Sequence, residues 1–455
     1  MIQESAIVAE AIPTKSNPLL TAPILGTLAR LSIPNVIAML ATSLVAVAET
    51  AYAGQLGTPA LAGLALVFPM VMLQQMLSAG AMGGGVSSSI SRALGAGNEV
   101  RAARLALHAI LIGGLAGLFF SAFFLLLGKP IYSLLGGEGV ALAEALAYSN
   151  IVFYGAIGVW MTNTLASIIR GGGDMKTPSI TLLIVAVSQF MLAGAFSLGW
   201  GPFPALGMAG IGIGLVIAFS VSTLFLFWYL LSGRARVTLS FQNFRLQSEM
   251  FRDILKVGAV SCISPLQTVL TILILTRLVS EFGLEALAGY GIGARLEFLV
   301  VPIAFAIGVA CVPMVGMAIG AGNVVRARQV AWTGGISAGL SIGLIGFIVA
   351  LFPNIWSGMF TDVPAVLDSA GLYFAWIGPF YGLFGLGLCL YFSSQGAGKV
   401  LGPVIAGTVR LVIVAIGGLL LAAGNAPDWT IFALIGIAMA IYGAATAFAV
   451  YLARW

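Results

Sequence analysis

Twelve long apolar runs account for most of this chain, and each is long enough to cross a lipid bilayer as a helix of about 20 residues. The runs are Ile33–Gly54, Leu61–Val86, Leu105–Leu127, Leu146–Ile169, Pro178–Leu198, Gly207–Leu231, Val257–Val279, Ala286–Ala318, Trp332–Phe352, Ala370–Phe392, Leu401–Ala423 and Trp429–Leu452. Only 8% of the residues are charged and 60% are hydrophobic, against roughly 25% and 45–50% in soluble domains. The sequence therefore predicts an all-α integral membrane protein with twelve transmembrane helices.

Basic residues are distributed unevenly between the connections that join these runs. One set of connections is basic and contains Arg92, Arg101, Arg104, Arg170, Lys176, Arg326, Arg328 and Lys399, together with the polar segment Ser232–Lys256. The opposite set contains Lys129 but mainly acids, namely Glu138, Glu144, Glu281, Glu285, Asp362, Asp368 and Asp428. The positive-inside rule predicts that both termini and Ser232–Lys256 lie in the cytoplasm, with the protein in the inner membrane. This bias accounts for the net charge of +5 without a nucleic-acid partner.

An internal repeat divides the chain into two similar parts. Residues 95–102 read GAGNEVRA and residues 320–327 read GAGNVVRA, at an offset of 320 − 95 = 225. The same offset relates a second set of positions, Gly171, Gly173 and Pro178, to Gly396, Gly398 and Pro403. The tetrapeptide ALAG also recurs, at 60–63 and 286–289. Three blocks in one order at nearly one spacing indicate a duplication.

Each half contains six runs, an even number, so both halves enter the membrane with the same polarity. This predicts two six-helix lobes related by a pseudo-two-fold axis along the membrane normal. We divide the chain into a cytoplasmic tail (1–30), an N-lobe (31–231), a cytoplasmic linker (232–256) and a C-lobe (257–455). Two lobes around a cleft can rock to give alternating access, which favours a transporter over an enzyme.

Several motifs, taken in order, resemble those of the MATE family of multidrug and toxin exporters. The stretch LSIPNVIAMLATSLVAVAETAYAGQLGTPALAG is similar to the first helix of the family and the residues after it. LGAGNEVRAARLA resembles the loop between helices two and three, RGGGDMKTP the stretch after helix four, and GMAGIGIG the start of helix six. The likeness extends from about Leu28 to the last helix. It implies a bacterial exporter that exchanges amphipathic, often cationic, organic compounds for H⁺ or Na⁺.

The resemblance also assigns residues. Glu49 corresponds to the acidic residue of helix one that couples the cation, and Pro34 to the proline at which that helix bends. Elsewhere the pattern is incomplete. The Asn and Asp found in helix five of many members correspond to Gln189 and Ala193, and an acid of the NorM branch in helix seven corresponds to Gln267. A sodium cage of several carboxylates is therefore not expected.

Glu49 is also the strongest candidate from its surroundings alone. It lies in the apolar stretch Ala46–Ala53, with no Lys or Arg within four residues on its helix. A carboxylate there is costly unless it is paired, protonated or solvated by a cavity. Sodium takes several oxygen ligands, and Asn163, Gln189 or Tyr154 would supply them only if folding brings them close. We therefore expect H⁺ rather than Na⁺. The alternative is that Glu49 reaches the lipid headgroups.

The second half contains two charged candidates within its runs, Glu297 and Arg410. Glu297 is either a second proton site or the partner of an arginine on another helix, in which case it would stay ionised and could not carry a proton. The remaining candidates for the lining of the cleft are Tyr154, Asn163, Gln189, Gln74, Gln267, Met72 and Arg410 itself. For the uncharged polar residues the alternative role is hydrogen bonding between helices.

Two other functions remain open. A flippase for lipid-linked oligosaccharides, from a related two-lobed family, would need several basic residues in its cleft, and only Arg277, Arg295 and Arg410 approach the membrane interior. A membrane-embedded enzyme would need a concentrated set of reactive side chains, whereas the polar residues here are scattered.

The GAGN loops lack the Lys-Ser/Thr ending of a phosphate-binding loop, so an ATP-driven pump is not expected. Their asparagines, Asn98 and Asn323, are instead expected to cap helices. We expect a monomer without metal or other cofactor, whose partners are the bilayer, the coupling ion and organic substrates.

Overall fold

The computed structural model describes residues 18–239, 245–424, 427 and 429–455. Eleven helices in this part are long and apolar enough to cross a membrane, and the number becomes twelve when a pair of helices bent by 46° counts as one span. In hydrocarbon the backbone must satisfy its own hydrogen bonds, and a helix does so within one segment. The predicted all-α membrane fold with twelve spans is confirmed.

The first half of the described chain contains helices α1 to α9. Their bounds are α1 Pro18–Thr21, α2 Ile24–Leu56, α3 Thr58–Gln75, α4 Gly83–Gly95, α5 Glu99–Leu134, α6 Gly139–Tyr154, α7 Ala156–Gly171, α8 Lys176–Leu198 and α9 Met208–Leu231. A π-helical segment, Met76–Met82, joins α3 to α4, so that the three form one span. Helices α6 and α7 are the bent pair.

The second half of the described chain contains helices α10 to α18. Their bounds are α10 Ser248–Ser261, α11 Ile263–Ser280, α12 Leu284–Gly320, α13 Val324–Leu351, α14 Asn354–Ser357, α15 Pro364–Ile377, α16 Tyr381–Ala397, α17 Leu401–Ala423 and α18 Trp429–Leu452. A 3₁₀ turn, Gly378–Phe380, joins α15 to α16. The span formed by α15 and α16 therefore changes its helix type midway, in the position where α6 meets α7 in the first half.

Two helices begin earlier than the sequence suggested. α2 starts at Ile24, inside the segment assigned to the tail (1–30), because Pro23 precedes it and proline suits the start of a helix. α10 starts at Ser248, inside the segment assigned to the linker (232–256), because one face of it is apolar and buried through Met250 and Ile254. Residues 1–17 and 240–244 of these two segments, and Asp428 among the predicted acids, lie outside the described residues.

The duplication is visible in the backbone. α8 and α17 each contain 23 residues, and their ends lie 401 − 176 = 225 and 423 − 198 = 225 positions apart. The two GAGN loops also share one geometry. The Asn98 side chain accepts a hydrogen bond of 2.8 Å from the Arg101 backbone N–H, and that of Asn323 accepts one of 2.9 Å from Arg326. The predicted caps are confirmed.

The preceding glycines, Gly97 and Gly322, both have a φ of 74°. This left-handed conformation favours glycine because a Cβ atom would meet the backbone there. Each GAGN loop therefore ends one helix through its glycine and starts the next through its asparagine.

The two halves are joined at the ends of the helices near Arg92, Arg101 and Arg326, which we call the basic ends. There α4 of the first half packs against α10, α12 and α16 of the second. α4 and α12 cross closely, because a Cβ atom on Gly95 would overlap the main chain of Met317 and one on Gly320 would overlap that of Arg92.

The opposite ends, which carry most of the acidic residues, are not linked in this way. The rings of Phe68 and Phe298, with centroids 6.0 Å apart, join the halves near the middle of their spans. Between this contact and the acidic ends, no hydrogen bond, ion pair or ring contact joins the two halves among the described residues. At the same depth, Ser43 Oγ of α2 donates a hydrogen bond of 3.2 Å to the Phe298 carbonyl. The described contacts between the halves therefore extend from the basic ends to about the level of Phe298 and not to the acidic ends.

The caps provide a first prediction. Replacing Asn98 with alanine removes the acceptor for the Arg101 N–H, and we expect the free energy of unfolding to fall by about 1 kcal/mol. Asn98→Asp retains an acceptor oxygen and should unfold near the temperature of the unchanged protein. The measurement is thermal unfolding of the purified protein in detergent, with Asn323→Ala as the matched variant in the second half. Equal unfolding temperatures for Asn98→Ala and Asn98→Asp would contradict the assignment.

Candidate ion and substrate sites

Glu49 lies in the interior of the first half, on α2, with 7% of its surface exposed. Helix α8 packs along α2 and brings Gln189 to it, whose amide nitrogen Nε2 donates a hydrogen bond of 2.7 Å to Glu49 Oε1. No Lys, Arg or His in the described part of the chain forms an ion pair with Glu49. The carboxyl group is therefore held by an amide and not by a cation, in an interior where a charge is costly.

Aromatic residues surround Glu49. Tyr52, one turn further along α2, has its ring 5.8 Å from that of Phe190 and 5.7 Å from that of Trp200. Tyr148 of α6 is buried in the same apolar cluster as Tyr52. None of these side chains donates a hydrogen bond to Glu49. Gln189 is its one hydrogen-bond donor among the described residues.

Pro34 lies within α2, fifteen residues before Glu49 (49 − 34 = 15), and the helix continues through it from Ile24 to Leu56. Proline has no N–H and cannot donate to the carbonyl of residue 30. The next residue, Asn35, is buried and donates from Nδ2 to the Ala306 carbonyl of α12 at 3.4 Å. A weak point in the helix thus lies beside a contact with the other half. The bend at Pro34 stays a prediction.

Glu297 lies on α12 in the interior of the second half. Its Oε1 accepts a hydrogen bond of 2.6 Å from the Tyr373 hydroxyl and a longer one of 3.5 Å from the Tyr381 hydroxyl. It forms no ion pair with Arg410 or with any other described residue, within 4.0 Å. The ion pair considered from the sequence is therefore absent, and the described partners of the carboxylate are tyrosine hydroxyls at Oε1.

Arg410 lies on α17 and is surrounded by rings. Its guanidinium carbon is 5.3 Å from the centre of the Phe384 ring and 5.9 Å from that of Tyr442. The Nε atom is enclosed and has no hydrogen-bond partner. The second half therefore contains a carboxylate held by tyrosines and a guanidinium held by ring faces, close to each other but not paired.

Two other residues proposed for the cleft instead connect neighbouring helices. Asn163 of α7 donates from Nδ2 to Ser78 Oγ at 2.8 Å and to Gln75 Oε1 at 3.1 Å, beside the π-helical segment. Gln267 of α11 donates from Nε2 to Thr408 Oγ1 of α17 at 2.7 Å. Asn163 and Gln267 thus form hydrogen bonds between helices, which was the alternative to lining the cleft. Asn163 does not reach Glu49, so it supplies no ligand for an ion there.

The remaining candidates lie apart from Glu49. The Tyr154 side chain is 77% exposed and forms no hydrogen bond or ring contact with another described residue, so it does not complete a sodium site. Gln74 is buried, and neither its Nε2 nor its Oε1 has a hydrogen-bond partner in the described part of the chain. Met72 is half-buried on the same helix, α3. Their roles in the cleft stay predictions.

The tyrosines next to the two carboxylates were missed in the sequence. Tyr148 and Tyr373 lie 373 − 148 = 225 positions apart, which is the spacing of the duplication. Both are buried. Tyr373 donates a hydrogen bond to Glu297, and Tyr148 lies in the same apolar cluster as Tyr52, one turn from Glu49. A comparison of each residue with the one 225 positions later would have found this pair, because both positions hold a tyrosine.

An ionic cluster at the basic ends was also missed. Arg92 of α4 contacts Asp253 of α10 at 3.0 Å, while Arg101 of α5 contacts Asp253 at 3.1 Å and Glu249 at 2.6 Å. Buried His108 of α5 accepts at Nε2 a hydrogen bond of 3.0 Å from the Gln247 backbone N–H. These contacts join the two halves. They were missed because the start of α10 had been assigned to the linker.

Comparison with known proteins identifies the family. The family model MatE matches residues 34–194 and 261–420, more than half of the chain. The chain is 25% identical over 400 residues to a FAD transporter of Shewanella oneidensis, covering 87% of each protein. It is 27% identical over 361 residues to a probable multidrug resistance protein NorM of Thermotoga maritima, covering 79% of this chain and 77% of that protein.

Solved structures share the fold. One, described as the outward-facing conformation of a multidrug resistance MATE family transporter of the MOP superfamily, matches with a TM-score of 0.87 at 22% identity over 96% of this chain and 97% of that chain. A MOP superfamily transporter from Pyrococcus furiosus matches over the same shares with a TM-score of 0.88. The chain belongs to the MatE family, and the resemblance stated from its motifs is confirmed. The family and these relatives are transporters.

The ionic cluster gives a second prediction. Asp253→Asn removes the carboxylate that contacts both Arg92 and Arg101, and we expect the junction to weaken by about 1 kcal/mol, because partly exposed ion pairs contribute little. Spin labels at the exposed residues Val100 and Leu246, in a variant without the native cysteines, would report the distance between the halves. The distance distribution should gain a longer component.

The control for this experiment is Glu249→Gln. Its carboxylate contacts Arg101 alone and its side chain is 69% exposed, so the change should be smaller. A distribution for Asp253→Asn that is identical to that of the unchanged protein would show that the cluster does not hold the halves together.

Proposed function

We propose that this protein is a secondary-active exporter, which moves amphipathic, often cationic, organic compounds out of the cell in exchange for protons that bind at Glu49. The observation that carries the proposal is Glu49 itself, which is buried, held by Gln189 and without a cationic partner. Relatives named multidrug resistance and multidrug export proteins support the substrate class. The Shewanella relative, named a FAD transporter, extends the range considered to acidic aromatic metabolites.

The contact between Glu49 and Gln189 suits a group that gains and loses a proton. An ionised carboxylate only accepts hydrogen bonds, and the amide nitrogen of Gln189 donates one to it at 2.7 Å. A protonated carboxyl also donates, and rotation of the same amide would present its oxygen as the acceptor. One glutamine can therefore serve both states. This supports H⁺ over Na⁺, which takes several oxygen ligands.

In this proposal the N-lobe and the C-lobe rock against each other, so that the cleft between them opens in turn to each side of the membrane. The junction at the basic ends corresponds to a cytoplasmic seal under the positive-inside rule, so the described state would face outwards. In that state Glu49 would take up a proton from outside. The junction would then open, and the proton would leave towards the cytoplasm as a new substrate enters. The protein would act as a monomer in the inner membrane, with both termini in the cytoplasm.

The third prediction tests the coupling. Purified protein in liposomes should export rhodamine 123, a flat cationic dye, when a pH gradient is imposed. Glu49→Gln cannot exchange a proton, so export under the pH gradient should fall to the level of liposomes without protein. Glu138→Gln is the matched control, because Glu138 is an exposed glutamate outside the helices, and its export rate should be unchanged.

A sodium gradient imposed on the same liposomes separates the two coupling ions. Export driven by sodium alone would refute proton coupling. Full export by Glu49→Gln under the pH gradient would refute the role of Glu49. Movement of a lipid-linked oligosaccharide without export of the dye would favour the flippase instead.

A further inference from the structure

Arg410 has no anionic partner. Its guanidinium carries five N–H donors, and none of them forms a hydrogen bond or ion pair with another described residue. The enclosed Nε is among the buried atoms left without an acceptor. A charged side chain within a membrane span is costly and is usually paired or turned towards a cavity. The Arg410 guanidinium therefore lacks a hydrogen-bond acceptor within the described chain, and a bound ligand can supply one.

The rings around Arg410 determine the direction from which an acceptor can approach. Phe384 of α16 and Tyr442 of α18 have their ring centres 5.3 Å and 5.9 Å from the guanidinium carbon. Such cation–π contacts stabilise the charge, but they leave the N–H groups in the plane of the guanidinium without a hydrogen-bond acceptor. The planar fork of an arginine matches the two oxygens of a carboxylate or phosphate. An acidic group is therefore the complement of this side chain.

Glu297 does not fill that place. Its Oε1 is held by the Tyr373 and Tyr381 hydroxyls at 2.6 Å and 3.5 Å. The Tyr373 ring is held in turn by Gly293, where a Cβ atom would overlap it. Among the described residues, no ion pair joins either oxygen of Glu297 to Arg410. The carboxylate and the guanidinium thus stay separate within one cluster.

The same cluster offers a surface for a flat ligand. Phe384 and Arg410 are half-buried. Tyr290 is also half-buried, and its ring lies 6.0 Å from that of Tyr373, which binds Glu297. Aromatic compounds stack on such rings in offset or edge-to-face arrangements. The first half has no counterpart, because the position equivalent to Arg410 is Val185 (410 − 225 = 185). The feature therefore belongs to the second half alone.

We propose that Arg410, with Phe384, Tyr442 and Tyr290, forms a binding site for planar aromatic compounds that carry a carboxylate or a phosphate. The acidic group binds the edge of the Arg410 guanidinium, and the aromatic body lies against the rings. The site would receive exported substrate, so this inference rests on the proposed transport function. It assigns the acidic aromatic compounds considered above to particular residues of the second half.

The test uses flavin mononucleotide and riboflavin, which share one ring system and differ by a phosphate. Quenching of flavin fluorescence by the purified protein gives both dissociation constants. Flavin mononucleotide should bind at least about tenfold more tightly than riboflavin, because a hydrogen-bonded charge contributes roughly 1.5–3 kcal/mol. Arg410→Gln should remove this difference. Arg410→Lys, which keeps the charge but not the fork, should retain part of it.

Arg295→Gln is the matched control. Arg295 also lies over a ring, 5.1 Å from the centre of Phe360, but it is exposed and outside the cluster, so the preference for flavin mononucleotide should be unchanged. Equal affinity of the unchanged protein for the two flavins would overturn the proposal, whether or not any variant folds. A preference that persists in a folded Arg410→Gln protein would also overturn it.

Transport of rhodamine 123 separates this inference from the proposed function. If the unchanged protein binds flavin mononucleotide as expected but exports nothing, the site stands and the transport proposal fails. If it exports the dye but does not distinguish the flavins, transport stands and the site is refuted.

Discussion

The cost of an unpaired charge in hydrocarbon governs where the ionisable residues of this protein lie. At the basic ends, arginines on α4 and α5 contact the carboxylates of Asp253 and Glu249. Within the spans, Glu49 and Arg410 lack opposite charges and contact an amide and aromatic rings instead. Because such positions are costly, they are where a mobile ion or substrate can supply the missing partner. The transport chemistry proposed here depends on this constraint.

The duplication gives the two halves a similar fold, but the charged residues within their spans differ. Helix lengths, the caps at Asn98 and Asn323 and the buried Tyr148 and Tyr373 recur at one spacing. The carboxylates do not recur, because Glu49 lies on the first span of its half and Glu297 on the second span of the other. Under the two proposals made above, the similar halves move in equivalent ways, while one binds the proton and the other receives an acidic substrate.

The junction at the basic ends combines two kinds of contact with different consequences. The crossing of α4 and α12 depends on Gly95 and Gly320, since any side chain there would overlap the facing backbone. The ion pairs of Arg92 and Arg101 are partly exposed, and such pairs are weak. Close fit therefore sets the geometry of the closed end, while the charges add only a small stabilisation. Under the proposed transport cycle, this balance suits a junction that closes and opens.

The sequence by itself determined the twelve spans, the duplication and the helix caps. A span requires only a sufficient apolar length, and a cap joins residues three positions apart, so both depend on near neighbours. The partners of Glu49 and Glu297 were decided by the tertiary structure. Gln189 lies 140 positions from Glu49, and Glu297 binds tyrosines on another span where an ion pair had been considered. In a membrane helix the face towards lipid and the face towards the protein are both apolar, so the sequence does not show which faces meet, and only packing brings these side chains together.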